Sequence, residues 1–140
     1  MTSITIYTDG ASRRNPGPSA SGYAIVVNDK IIAESSEFNQ ETTNNVAEYT
    51  AMIKALEWCH KNIDDYKTAT LTVVSDSELV VKQMNREYKI KSAGLKLLMH
   101  RLLELVRLFG SVRFEHRPRT DPMISMVDKK LNVLLDKIEP

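Results

Sequence analysis

The feature that most constrains this chain is the order in which two hydrophobic periods alternate along it. Ile4-Thr5-Ile6-Tyr7-Thr8 has the two-residue period of a strand with one buried face. Asn28-Asp29 supplies a turn between the strand-like runs Gly22 to Val27 and Lys30 to Phe38, so three antiparallel strands are expected in succession. Val46 to His60 then carries apolar residues at helical density, and Thr70 to Val74 returns to a β-branched run. Helical spacing follows over Ser77 to Asn85, and again from a cap at Ser92 to Phe109, where Leu95, Leu98, Leu102 and Val106 form an apolar stripe closed by Gly110. Val112 to His116 is a last strand and Val127 to Ile138 a last helix. The order βββαβααβα predicts an α/β fold, a five-stranded mixed sheet with helices on both faces. Two segments are expected to be loops: Asp9 to Ser21, dense in turn formers, and Arg117 to Met126, broken by Pro118 and Pro122.

The length of 140 residues suits a single domain over 1–140. With 42% of residues apolar and 26% charged, the chain has the composition of a soluble globular protein. No run approaches the ~18 apolar residues of a membrane span, and the amino terminus lacks a basic segment followed by an apolar one, so no membrane partner and a cytoplasmic location are expected. Cys59 is the sole cysteine and has no partner for an internal disulfide. A formal net charge of +1 selects no class of partner, which leaves local arrangement to decide.

Three acids stand at element ends. Asp9 follows the first strand, Asp76 follows the fourth, and Glu48 lies in the first turn of the first helix. If the first and fourth strands are neighbours, the three converge. Like charges brought that close oppose one another's ionisation, and a hard divalent cation with oxygen ligands relieves the repulsion. Phosphoryl-transfer chemistry is the natural inference. Each acid also has a structural reading: Asp9-Gly10 as a turn pair, Glu48 as the back-bonding member of an Asn45-to-Glu48 capping box, and Asp76 as a helix N-cap.

The segments Tyr7-Thr8-Asp9-Gly10-Ala11-Ser12, Asn15-Pro16-Gly17-Pro18, Thr42-Thr43-Asn44-Asn45-Val46-Ala47-Glu48-Tyr49 and Val74-Ser75-Asp76-Ser77 resemble the opening motifs of type 1 ribonuclease H. Val81-Lys82-Gln83-Met84-Asn85 and Glu87-Tyr88-Lys89 are similar to its archaeal-type subgroup, which lacks a basic protrusion. The resemblance implies a metal-dependent endonuclease that hydrolyses the RNA strand of an RNA–DNA hybrid, leaving a 3′-hydroxyl and a 5′-phosphate. Two Mg²⁺ or Mn²⁺ ions are implied with substrate bound. Asp9 would bridge both, Glu48 and Asp76 would hold one, and a fourth carboxylate the other. Duplex RNA is a further implied substrate, and a monomer is expected.

The fourth acid is where the chain departs from that family. Its pattern Asn-x-x-Ala-Asp-x-Leu, laid on Asp128 to Leu134, puts Asn132 in the key position and Leu134 two residues later. The alternative takes Asp128 after Val127, which sets Lys130 where the family has leucine. Asn132 is preferred on helix periodicity, giving an atypical Asp-Glu-Asp-Asn site with a weaker metal position. A second reading follows from that asparagine: a catalytically weakened hybrid-binding protein of the same fold. By the same resemblance Asn15, Thr43, Asn44, Asn45 and Glu78 fall at substrate-contact positions, and Arg119 at that of a mobile residue assisting product release or proton transfer. Glu78 stands where a glutamine is common. Arg13, Arg14, Lys82, Lys89, Lys91 and Lys96 are available to offset such acidic departures at phosphate.

Overall fold

A computed structural model describes residues 2–138. Three long strands, β1 (Ser3–Ser12), β2 (Gly17–Val27) and β3 (Lys30–Thr42), precede α1 (Asn44–Asn62); β4 (Thr70–Ser75), α2 (Glu78–Met84), α3 (Ala93–Val106), β5 (Ser111–His116) and α4 (Pro122–Ile138) follow. The five strands form one sheet in the order β3-β2-β1-β4-β5. β1 runs antiparallel to β2 and parallel to β4, so the sheet is mixed and the first and fourth strands are neighbours, as the convergence of the acids requires. Asn28 and Asp29 both adopt positive φ, 51° and 63°, the conformation that lets a two-residue turn follow strand twist.

Two layers of helix cover the sheet. Ile4, Ile6, Leu71 and Val73 join Met52, Leu56, Leu102 and Leu105 in the main core beneath α1 and α3. By strand alternation Asp9 and Ala11 lie on the other side of β1. There Ala20 packs with Leu131 and Leu135 of α4, bordered by Ala11. Among the described residues no helix is long and apolar enough to cross a membrane.

One expected loop is largely absent and the other is shortened. Asp9 to Ser12 and Gly17 to Ser21 are paired strand, with Asp9 opposite Gly22 and Ser12 opposite Ser19, and only residues 13–16 make the turn. The small residues read as turn formers serve close packing. A Cβ on Gly10 would lie 2.3 Å from the Ala47 carbonyl carbon, and one on Gly22 would lie 2.9 Å from Leu131 Cδ2 and 3.3 Å from Val127 Cγ1. Gly10 therefore admits α1 to one side of the sheet, and Gly22 admits α4 to the other. The second loop is shortened because Pro122 opens α4 instead of breaking it. The Asp121 carboxylate accepts from the Met123 and Ile124 amides at 2.9 and 3.2 Å, a cap ahead of a proline that has no N–H to satisfy. Gly110 likewise does not close α3 through a left-handed conformation. α3 ends at Val106, and a Cβ on Gly110 would lie 2.8 Å from the Thr68 backbone.

Candidate active site

Parallel pairing of β1 and β4 sets Thr8 opposite Ser75, so Asp9 within β1 and Asp76, one residue past the end of β4, follow directly on paired positions. Glu48 arrives from α1, held against β1 by the Gly10 contact. Asp9, Glu48 and Asp76 each offer a carboxylate oxygen within 4.8 Å of the others. Asp9 is 1% exposed and Glu48 6%.

None of the structural roles open to these acids is the one they fill. Asp9 lies inside β1, not in a turn. Thr43 caps α1, its hydroxyl accepting from the Val46 amide at 3.3 Å, which leaves Glu48 free of any capping box. Ser77 caps α2 in place of Asp76. What remains is a set of acids gathered at one strand edge.

Their electrostatics is strained in a specific way. Burial, then the charges of Glu48 and Asp76, then the adjacent Asp128 carboxyl, push the Asp9 pKa far above the ordinary carboxylate range. Glu48 is raised as well, by burial first and by Asp76 second, and less steeply because Asp9, the Gly10 amide and Ser75 can donate to it. The Ser75 hydroxyl lies 3.3 Å from Glu48 Oε2. Between two carboxyl groups a hydrogen bond needs a proton, and once ionised neither buried oxygen of Asp9 has a donor. A doubly orphaned carboxylate ringed by other carboxyls fits a cation and little else.

The last helix carries both candidates for the fourth acid. The buried stripe of α4 is Ile124, Val127, Leu131 and Leu135. At about 100° per residue Asp128 lies at the edge of that stripe, and Asn132 about 40° further round. Asp128 adds to the rise in the Asp9 pKa, after burial, Glu48 and Asp76, and lies outside the group formed by Asp9, Glu48 and Asp76. The Asn132 amide is engaged elsewhere: its Nδ2 donates to the Asp128 carbonyl at 3.0 Å and the Asp128 carboxylate at 3.3 Å, while Arg13 donates to its Oδ1 at 3.3 Å.

Arg119 is brought to the site. Its Nε donates to Asp76 Oδ2 at 3.1 Å, with 69% of the side chain exposed and Asp76 largely covered. Asp76 raises the Arg119 pKa further, by hydrogen bond first and charge second.

The expected substrate contacts separate into two groups. Asn15 Oδ1 accepts from the Asn44 amide at 2.9 Å, and Asn44 Oδ1 accepts from the Ser12 amide at 2.7 Å, so the two side chains clasp the β1–β2 turn to the start of α1. Thr43 and Asn45 sit at that same corner. Glu78 is exposed on α2 and ion-paired to Lys82 at 2.7 Å, which meets the charge expected to repel phosphate. Arg13, expected to face phosphate, is paired with Asp136 at 2.7 Å.

Sequence reasoning passed over Ser75, whose hydroxyl also accepts the Ser77 amide at 3.0 Å, and it read Gly10 as a turn residue. The available signal was position: each flanks an acid at the end of a β-branched run.

The family model described as RNase H matches residues 1–115. Ribonuclease HI of Halobacterium salinarum is 38% identical over 117 residues, covering 83% of this chain and 57% of that protein, so the chain spans little more than half of that relative. LC11-RNase H1, isolated from compost by a metagenomic approach, superposes with a TM-score of 0.91 at 37% identity over the full length of both chains, 100% of each. The complex of LC11-RNase H1 with an RNA/DNA hybrid gives a TM-score of 0.82 at 36% identity, covering 94% of this chain and 99% of that one.

Proposed function

This chain belongs to the RNase H family, and on that premise we propose that it hydrolyses the RNA strand of RNA–DNA hybrids using divalent cations held by Asp9, Glu48, Asp76 and Asp128. One observation carries the reading: both oxygens of the buried Asp9 carboxylate lack a donor while other carboxyls surround them. Such an arrangement is costly unless cations are part of the working site.

Divalent ions there, Mg²⁺ or Mn²⁺ and two with substrate bound, would make water a better nucleophile and offset the negative charge that builds on the phosphoryl and leaving oxygens in an in-line displacement. Everything else falls to the chain. Asp9, buried among the acids, would hold these ions together with Glu48, Asp76 and Asp128. Ser75 and the Gly10 amide aim Glu48. In the reaction a water oxygen bonds to phosphorus and the bond to the ribose 3′-oxygen breaks. That oxygen leaves with a proton as a 3′-hydroxyl, and the phosphate stays on the 5′ side. Arg119, exposed beside Asp76, is placed to meet the cleaved phosphate as it departs. The corner made by Asn15, Thr43, Asn44 and Asn45 would receive the hybrid, whose ribose 2′-hydroxyls distinguish RNA from DNA across a shallow minor groove. Glu78, tied to Lys82, lies on the neighbouring helix and would approach the same duplex.

If Asp128 serves as the fourth acid, a catalytically weakened, binding-only protein of the same fold is the less favoured reading. The test is cleavage of a labelled RNA–DNA hybrid over a range of Mg²⁺ and Mn²⁺ concentrations, with Asp9→Asn, Asp128→Asn and Asn132→Asp. Wild type is expected to cut, the first two variants to lose activity, and Asn132→Asp to gain none. Faster cutting by Asn132→Asp at lower metal would return the fourth position to residue 132. Hybrid retained without product at every metal concentration would overturn the enzyme reading.

A further inference from the structure

Asn132 leaves the ligand set in this reading, yet it is not an idle surface amide. Its Nδ2 donates to both the main-chain oxygen and the carboxylate of Asp128, at 3.0 and 3.3 Å. Its own carbonyl groups are held from the far side. One Arg13 nitrogen donates to the Asn132 main-chain oxygen at 3.1 Å, to its Oδ1 at 3.3 Å and to Asp136 at 2.7 Å. The guanidinium is substantially covered, with 30% of the side chain exposed, and it comes from the β1–β2 turn, 119 residues away in sequence. A hydrogen-bonded line thus runs from Asp136 through Arg13 and the Asn132 amide to the Asp128 carboxyl beside Asp9.

The chemistry at each point of this line is directional. An asparagine offers a donor and an acceptor on one rigid plane, so fixing the acceptor end fixes where the donor points. Arg13 fixes the acceptor end, and the donor end then holds one Asp128 oxygen. An aspartate at 132 would have no donor to offer, and an alanine neither group. The side chain of Asp128 is otherwise half-buried at the edge of the α4 stripe, where a carboxylate has several rotamers to choose from. Outer groups that orient a metal ligand commonly govern affinity or activity by about 10–100-fold.

We infer that Asn132, anchored by Arg13, is a positioning residue that presents the Asp128 carboxylate to the cation site, so that the β1–β2 turn and the last helix together set the strength of that site. This inference rests on Asp128 being a ligand, and the experiment separates the two.

Binding of Mn²⁺ alone to the intact protein is measured by calorimetry for wild type, Asn132→Ala, Arg13→Ala, the double variant and Asp128→Asn, with melting temperatures recorded metal-free. Asn132→Ala is expected to weaken Mn²⁺ binding about 10-fold and to change the metal-free melting temperature little. Arg13→Ala should give a smaller loss, and the double variant no more than Asn132→Ala, because both act along one path. In hybrid cleavage the same variants should need more metal yet approach the wild-type rate when saturated. If Asp128→Asn binds Mn²⁺ like wild type, the ligand reading itself fails. If Asp128→Asn loses binding while Asn132→Ala and Arg13→Ala keep it, the positioning role is overturned alone. Should Asn132→Ala not fold, Arg13→Ala carries the test. A lowered melting temperature with unchanged Mn²⁺ affinity would make the line merely structural and also overturn the inference.

Discussion

The two sides of the sheet are built to different standards. On the α1 side, β1 and the helix meet backbone to backbone at Gly10, where a Cβ would fall 2.3 to 2.5 Å from Ala47 and Glu48 main-chain atoms, above a core that runs from Ile4 to Phe109. On the α4 side a Cβ at Gly22 would meet the Leu131 and Val127 side chains at 2.9 and 3.3 Å, and the Ser35 main-chain oxygen of β3 at 2.9 Å, and the cluster beneath gathers Ala20, Leu131 and Leu135. In the proposed site each side contributes acids. Glu48 is carried by the stiffer side, Asp128 by the softer one. A softer helix places its carboxylate less firmly, and it is Asp128, among the four acids, that a hydrogen-bonded line from a distant turn holds.

The comparison breaks first at the glycines. Gly10→Ala, opposed by main-chain atoms alone at 2.3 to 2.5 Å, is expected to cost about 3 kcal/mol or more, whereas Gly22→Ala, opposed by two side chains and the Ser35 main-chain oxygen at 2.9 Å or beyond, should cost less, about 2 kcal/mol. Urea unfolding of the two variants checks this, and equal losses would mean that the two sides are equally rigid.

A smaller effect sharpens the electrostatic side of the contrast. The folded-state pKa values of Asp9 and Glu48 are raised, so the native state holds protons that the unfolded chain releases in the ordinary carboxylate range near 4. Stability from these groups is complete below that range and is lost as pH rises toward the folded values. The metal-free protein should therefore melt at a lower temperature at pH 8 than at pH 5. Mn²⁺ should reverse the loss, more at pH 8 than at pH 5, because the ionised acids are what it binds. In Asp9→Asn the pH slope should flatten and the Mn²⁺ response shrink. A melting temperature indifferent to pH in the wild type would show that the acids are not strained in the way their burial implies.

The smallest expected change concerns Arg119. Its ion pair with Asp76 leaves the guanidinium mostly in water, so Arg119→Ala should alter stability by less than about 1 kcal/mol. Cleavage of hybrid should fall by more than that loss of stability explains. A variant that cuts at the wild-type rate would confine Arg119 to the surface.

What could be read beforehand, and what could not, follows the same division. Asp9, Glu48 and Asp76 sit where β-branched runs end or a helix begins, and those boundaries are written in local pattern. Asp128 depends on the rotation of α4 about its own axis, which is set by Gly22, Leu131 and Val127 meeting across the sheet. Local pattern also misled at Pro122, because a proline after an aspartate cap starts a helix as readily as it ends one. Gly10, Gly17, Ser19 and Ser21 were mistaken for loop because small residues favour turns and also permit close approach, and only the partner on the other side distinguishes the two uses.

The clasp between Asn15 and Asn44 has a consequence for molecular recognition. Each side chain accepts a main-chain amide across the corner where the β1–β2 turn meets α1. The loop entropy of that corner is thus spent during folding, and a ligand docking there meets a surface already in its final shape. Association should then proceed without a slow ordering phase, its heat-capacity change should track the area covered and no more, and the affinity so conserved is available for choosing between duplexes that differ by a single hydroxyl per nucleotide.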